Sequence, residues 1–308
     1  MKNKFTVIGI ILLIAVVGII IFTTKGNLLN PAVTGGNVYC SDGKLADAMP
    51  IQSHRSYCVK SYANGRNYSV NNPNEYSFSV IDNQGNTLKD FKITHTKVMH
   101  VIVARKDLAN FQHIHPDFNK ITGVFTLRDL TFSQDGLYRI FADFAPMGGQ
   151  KDKKGMPLPV TLSEDISVGN IVNYSPQPIG SEEKNKVFDN YQVGLSISKP
   201  LVNAEESMLT FNITQNGNPI TDLQEYLGAL GHSVILREGT LDFIHAHPLE
   251  DSNKLQNGKV SFMVSFPVEG KYKVFTQFQK ERKVFTTDFV VSVEENMNQN
   301  QVPTHSTH

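Results

Sequence analysis

The chain has 308 residues, and its 29 lysines and arginines balance its 29 aspartates and glutamates, so the formal net charge is zero. Proteins that bind nucleic acid usually carry an excess of basic residues, which this chain does not have. No nucleic-acid partner is therefore expected. The length suffices for two domains of ordinary size, each with its own hydrophobic core. The function is therefore expected to depend on specific sites and not on the overall charge of the protein.

A run of 18 residues without a charged side chain, from Phe5 to Phe22, follows Lys2 and Lys4 near the N-terminus. As a helix this run would be about 27 Å long, close to the thickness of the hydrocarbon core of a bilayer. Residues 1–25 are therefore expected to form an uncleaved transmembrane anchor, with a removed signal peptide as the alternative. The preceding lysines favour a cytoplasmic N-terminus, which predicts a single-pass protein of the cell membrane with extracytoplasmic C-terminal domains.

The two cysteines of the chain, Cys40 and Cys58, both fall in residues 26–69, which are expected to link the anchor to the first domain. Outside the cytoplasm a disulfide between them is the expected state. Two alternatives remain, namely two free thiols and a soft-metal site in which His54 joins both sulfurs.

An internal repeat organises the rest of the chain. An offset of 132 to 135 positions aligns "VMHVIVARKDLANFQHIHP" with "LGHSVILREGTLDFIHAHP" and "DGLYRIFADF" with "EGKYKVFTQF". The sequence therefore predicts two copies of one module. The expected boundaries are a first module at 70–173, a linker at 174–186, a second module at 187–294 and a disordered tail at 295–308.

Short segments rich in β-branched and aromatic residues, bounded by Asn, Asp and Gly turns, predict β-strands in both modules. No segment after residue 25 has a long amphipathic helical pattern. Tyr138 and Tyr272 each follow a turn glycine, as does the tyrosine that hydrogen-bonds across a corner of immunoglobulin-like domains. The predicted fold class is all-β, with two tandem immunoglobulin-like β-sandwich modules behind one N-terminal transmembrane helix.

Three histidines recur at the same spacing in each module and predict a metal site. They are His100, His113 and His115 in the first module and His232, His245 and His247 in the second. Histidines at i and i+2 of a strand point to the same face. A hairpin centred on Glu238-Gly239 would place His232 opposite His245, so that the three imidazoles of a module converge on one ion. Zinc and copper both accept such sites, at about 2.0–2.1 Å per nitrogen.

Weaker ligand candidates lie nearby in the sequence. Asp143 and Gln277 occupy equivalent positions in the two modules and are candidates for a fourth ligand. Met99 and Met147 would favour copper(I), although methionine is more often an apolar filler. His95 aligns with Leu227, so it is expected to lie outside the repeated site.

The segments "LGALGHSVILREGTLDFIHAHP" and "EGKYKVFTQFQ" resemble a module of exported bacterial proteins that are often associated with heavy-metal or copper handling. The resemblance covers most of residues 70–293, and its specific part is the Gly-His…His-x-His-Pro core. It implies an exported, immunoglobulin-like metal-binding domain. The first copy departs from the pattern because Met99 replaces the glycine before His100, so equal affinity of the two copies is not expected.

The leading hypothesis is a non-catalytic, membrane-anchored, extracytoplasmic protein that binds copper, or zinc as second choice, in one three-histidine site per module. It would buffer the ion or pass it to a metal transporter or chaperone. A structural or interaction protein of the cell envelope with pH-sensitive histidines is the alternative. A metal-dependent enzyme is a third hypothesis. No candidate acid or base recurs in both modules, since Asp117 aligns with Leu249, so the chain is not expected to be an enzyme.

Overall fold

The computed structural model describes residues 37–39, 57–62, 67–172, 174–249 and 257–297. These residues belong to one compact unit, Gly35–His308. The expected N-terminal anchor and C-terminal tail lie outside the described residues. Within the described part of the chain, no helix has the length and apolar character needed to cross a membrane.

Antiparallel strands build the first module as a sandwich of two sheets. The strands described in it are β1 (Asn37–Tyr39), β2 (Tyr57–Ser61), β3 (Asn74–Asp82), β4 (Phe91–Lys92), β5 (His100–Arg105), β6 (Phe111–Ile114), β7 (Asp117–Asn119), β8 (Val124–Leu130), β9 (Gly136–Pro146) and β10 (Val160–Val168). One sheet has the order β1-β2-β3-β8-β7. The other has the order β10-β9-β5-β6, with β4 paired to β9.

The second module repeats this plan. Its described strands are β11 (Asn185–Phe188), β12 (Tyr191–Ile197), β13 (Glu206–Gln215), β14 (Asn218–Pro219), β15 (His232–Arg237), β16 (Phe243–Pro248), β17 (Lys259–Ser265), β18 (Gly270–Lys280) and β19 (Lys283–Val293). Their order is β11-β12-β13-β17-β16-β15-β18-β19, with β14 paired to β13. The two sheets join because β16 pairs with β15 along most of its length and with β17 at its end.

A tyrosine closes the same corner in each module. The Tyr138 hydroxyl donates to the carbonyl of Gln134 at 2.9 Å, and the Tyr272 hydroxyl donates to the carbonyl of Val268 at 2.7 Å. This bond to a backbone carbonyl just upstream is the corner bond of immunoglobulin-like domains. The predicted all-β fold, with two tandem immunoglobulin-like β-sandwich modules, is confirmed. The helix expected in front of them falls on residues that are not described.

Both segments expected to be linkers contribute to the packed structure. β2, from residues 26–69, pairs with β3 in the first sheet. Ile179, from residues 174–186, is buried in an apolar cluster with side chains of both modules. Residues 174–186 are mostly polar, and strand pairing between residues distant in sequence does not show in composition. The structured region therefore begins before residue 70.

Cys58 lies on β2 and is buried and disulfide-bonded. Its sulfur is therefore neither a free thiol nor a thiolate metal ligand in this structure. Cys40, the other cysteine of the sequence, and His54 lie outside the described residues.

The two modules pack against each other through equivalent sheets. Phe111 stacks on Phe275 with ring centroids 4.2 Å apart, and Phe243 packs on Phe141 at 5.5 Å. In the repeat, Phe111 corresponds to Phe243 and Phe141 to Phe275. The same contact is thus made twice with the modules exchanged, as in a two-fold symmetric interface.

A pair of polar contacts follows the same exchange. The Arg139 guanidinium donates to the carbonyl of Thr240 at 3.1 Å, and the Lys273 ammonium donates to the carbonyl of Leu108 at 3.2 Å. Arg139 corresponds to Lys273, and Leu108 to Thr240. The repeat therefore encodes the interface between the modules as well as the modules themselves.

Replacement of Phe275 or Phe141 by alanine is expected to destabilise the protein by about 3–5 kcal/mol, because each ring is buried between the modules and leaves a cavity when removed. Urea unfolding followed by circular dichroism measures this change. Ile121→Ala is the matched control, since that side chain is 83% exposed. If both phenylalanine variants were as stable as this control, the modules would not pack through this face.

Candidate metal centre

The predicted histidines gather in one group where the two modules meet, here called the His cluster. The ring centroids of His100, His113 and His115 lie 4.9, 5.0 and 5.3 Å from one another. His232 of the second module stacks against His113 at 4.9 Å and against His100 at 5.6 Å. His245 lies 4.6 Å from His232. The two expected sets of ligands are therefore adjacent, at the contact between the two modules.

Strand alternation explains why these side chains meet. On β5 every residue is buried, and alternate residues belong to different cores. Val101 and Val103 pack inside the first module, whereas Ile102 and Ala104 pack between the modules. His100 has the parity of Ile102 and so faces the other module. The same alternation on β15 places His232 on the facing surface.

The second hairpin differs from the predicted register. Val234 pairs with His245, so His232 and His245 are diagonal neighbours and not directly opposite. The turn is therefore not centred on Glu238-Gly239 but is a longer loop, in which Leu241 has a φ of 59° and is buried between the modules. Burial of this leucine explains the longer turn, and the two imidazoles still meet because diagonal neighbours on a strand pair remain within reach of long side chains.

Each module supplies an acceptor for a histidine of the other. His113 donates from Nδ1 to Gln277 Oε1 at 2.8 Å, and His245 donates from Nδ1 to Asp143 Oδ2 at 3.2 Å. These bonds fix the rings and leave Nε2 as the nitrogen with an unshared electron pair. Both acceptors are buried. The two candidates for a fourth ligand thus act in this structure as hydrogen-bond acceptors behind imidazoles, an arrangement typical of metal-bound histidine.

Threonine hydroxyls hold both acceptors in place. Thr161 donates to the second carboxylate oxygen of Asp143 at 2.9 Å, and Gln277 donates from Nε2 to the hydroxyl of Thr286 at 3.2 Å. The orientation of His113 and His245 is therefore supported by two successive layers of hydrogen bonds.

The unshared electron pairs of His100 and His113 point at one another. His100 donates from Nε2 to the carbonyl of Thr94 at 2.9 Å, so a neutral His100 has its unshared pair on Nδ1. That Nδ1 lies 3.1 Å from Nε2 of His113 and 3.2 Å from Nε2 of His115. Two nitrogens that bind one tetrahedral zinc ion lie about 3.3 Å apart. Since His113 carries its proton on Nδ1, a shared cation would remove the repulsion between its Nε2 and His100.

His232 carries a buried polar atom that lacks a hydrogen-bond partner among the described residues, its Nε2. Such atoms are rare and costly in native proteins unless an ion or a water satisfies them. His100, His113 and His232 each offer a ligand atom, and these atoms lie within 4.8 Å of one another. Their side chains are 1%, 8% and 2% exposed. The residues therefore fit a metal ion of the kind that binds imidazole nitrogen.

His95 belongs to the cluster, although the sequence comparison placed it outside. Its ring lies 5.1 Å from His232, 5.2 Å from His245 and 5.9 Å from His100. The residue has a φ of 48° and sits on the turn that also presents the Thr94 carbonyl. Because its counterpart is Leu227, a search for repeated residues does not find it.

The methionines lie elsewhere. Met99 is buried in the core of the first module, since adjacent residues of a strand point to opposite faces and His100 points away from that core. Met147 is half-exposed in the loop that follows β9. The backbone of His247 pairs with Met263, and the side chain of His247 is not among those described.

Four of the histidines have lowered pKa values. Burial, together with nearby imidazoles, lowers the pKa of His113 to about 3 and that of His115 to about 4. Burial also lowers the pKa of His100 and of His232. A neutral imidazole is the form that binds a metal ion, so no proton has to leave at neutral pH.

No curated protein matches the chain. Among solved structures, similarity extends to the I-band fragment I67–I69 from titin, with 10% identity, a TM-score of 0.18 and coverage of 75% of this chain and 62% of that one. The surface layer protein SbsC, domains 4–9, has 14% identity, a TM-score of 0.23 and coverage of 78% and 31%. Yersinia pseudotuberculosis InvD has 14% identity, a TM-score of 0.23 and coverage of 75% and 55%. The chain thus spans less than two thirds of each of these structures.

One family model matches the chain twice, at residues 57–157 and 185–295. The first match includes β2, in agreement with its pairing to β3. The two matches follow the internal repeat and together cover more than half of the 308 residues. The chain therefore belongs to the family described as Domain of unknown function (DUF8832), of which it carries two copies.

Proposed function

We propose that this chain is a metal-binding protein whose His cluster holds a copper or zinc ion between its two modules. The observation that carries the proposal is the group of His100, His113 and His232, three buried imidazoles with ligand atoms within 4.8 Å of one another. Two of these residues come from the first module and one from the second. An ion bound there would hold the modules together.

Imidazole nitrogen suits both copper and zinc. The resemblance of the Gly-His…His-x-His-Pro core to exported proteins of copper handling favours copper. The apolar run near the N-terminus supports attachment to the cell membrane, with both modules outside the cytoplasm. In that setting the protein would buffer copper or pass it to a transporter or chaperone.

The proposed role is non-catalytic. Asp143 accepts hydrogen bonds from His245 and Thr161, so its carboxylate serves to orient a ligand. The histidines with lowered pKa values are suited to hold an ion, because their imidazoles are in the neutral form. Their burial favours retention of the ion over rapid exchange with solvent.

Zinc or copper is expected to bind the full chain, purified without a histidine tag, and to raise its melting temperature. At a free metal concentration 100 times the dissociation constant, binding adds about 2.7 kcal/mol to the stability. His113→Ala and His232→Ala are each expected to weaken binding at least about tenfold, because each removes a ligand. Calorimetric titration measures both changes.

The matched control replaces His305 and His308 of the C-terminal tail by alanine, which is expected to leave the tight binding intact. The proposal fails if neither metal binds, or if the His113 and His232 variants bind as the unaltered chain does.

A pH-responsive structural role is the second candidate, and the lowered pKa values of His113 and His115 favour it. Protonation of these buried rings at low pH would separate the modules. This role requires no metal, so it is distinguished by the behaviour of the metal-free protein.

The metal-free protein is expected to lose stability as the pH falls. An unfolded histidine binds a proton near pH 6.5, whereas burial keeps His113 neutral down to its pKa of about 3. At pH values between these two pKa values, the unfolded chain binds more protons than the folded chain. As the pH falls, the free energy of the unfolded state therefore falls relative to that of the folded state. For His113 the loss at pH 5 is about 2 kcal/mol.

Melting temperatures in the presence of a chelator at pH 7.5, 6 and 5 measure this loss. His113→Gln removes the titrating group, and its melting temperature is expected to depend less on pH. A melting temperature of the unaltered chain that stays constant over this range would contradict the expectation.

A further inference from the structure

We infer that the His cluster binds two ions, one in each of two groups of three imidazoles. The first triad is His100, His113 and His115, and the second triad is His95, His232 and His245. This inference rests on the proposed metal-binding function. It replaces the single ion among His100, His113 and His232 by two copper(I) ions, with His232 in the second triad.

The spacing of the ring centroids within each triad fits three imidazoles on one ion. Three rings bound tetrahedrally through nitrogen at about 2.0–2.1 Å have centroids about 5 Å apart. In the first triad the centroids lie 4.9 to 5.3 Å apart. In the second triad they lie 4.6 to 5.2 Å apart. The six rings can thus be divided into two sets of this size without a shared member, and His232 of the second set also lies 4.9 Å from His113 of the first.

Each triad has its own oriented imidazole. Gln277 fixes His113 in the first triad, and Asp143 fixes His245 in the second. An acceptor behind a ligating histidine is the usual support of a metal site.

The second triad contains the buried nitrogen that also supports the single-ion proposal. Nε2 of His232 is buried without a hydrogen-bond partner in the described part of the chain, and this residue is only 2% exposed. Its other close neighbours in the triad are the rings of His95 and His245. An ion among these three rings would satisfy the buried nitrogen.

The charge of the ions determines which metal is expected in both triads. The energy of two charges scales with their product, so two monovalent ions repel one another with a quarter of the energy of two divalent ions. The carboxylate of Asp143, hydrogen-bonded to the second triad, offsets part of the positive charge. Copper(I) accepts imidazole ligands and carries a single charge, so it is the ion expected to fill both triads.

Anaerobic titration of the full chain with copper(I), against a competing chelator, counts the ions. His54, His305 and His308 are replaced by alanine beforehand, so that histidines outside the described residues do not contribute. Two equivalents are expected for this parent chain. His95→Ala and His115→Ala are each expected to lose one equivalent and keep the other.

Thr96→Gly is the matched control and is expected to keep two equivalents. Thr96 lies on the same turn as His95 with a φ of 66°, and its counterpart Gly228 has a φ of 81°, so glycine fits this position. Should an alanine variant lose its β-sheet circular dichroism, His95→Asn or His115→Asn replaces it.

A count of one equivalent in the parent chain overturns the two-ion centre and leaves the proposed function intact. No binding of copper(I), together with no binding of zinc, overturns both. Two equivalents that persist in both the His95 and His115 variants also overturn the two-ion centre, because the ions would then lie elsewhere.

Discussion

The packing of one module against the other is the constraint on which the rest of the structure depends. A strand such as β5 is buried on both faces, so its alternate residues must fill two different cores. Ile102 completes the core between the modules, and His100 lies two residues away on the same face. Any change that separated the modules would therefore dismantle the His cluster as well.

Hydrogen bonds between the modules orient two histidines of the His cluster. His113 depends on Gln277 and His245 depends on Asp143, so neither histidine is oriented by its own module alone. This arrangement explains why a repeat with few identical positions keeps its histidines.

The sequence predicts the local features well. The strand patterns were sufficient for the fold class. The recurring histidine spacing was sufficient for five members of the cluster, His100, His113, His115, His232 and His245, because it reflects strand alternation within a short segment. The docking of the modules was not predicted, since it depends on contacts such as Phe111 with Phe275 that are far apart in sequence. The apolar runs of β5 and β15 are sequence signals that indicate a second buried face.

His95 shows the limit of reasoning from a repeat, because a residue present in one copy alone carries no such signal.

The central claim is that histidines of both modules surround a common metal centre. A crystal structure of the copper-loaded or zinc-loaded chain, with anomalous diffraction measured at the metal edge, tests this claim most directly. The expected result is anomalous density within about 2.0–2.1 Å of nitrogens from the His cluster, with ligands from both modules. Density confined to the tail or to the cysteine segment, with none between the modules, would contradict it.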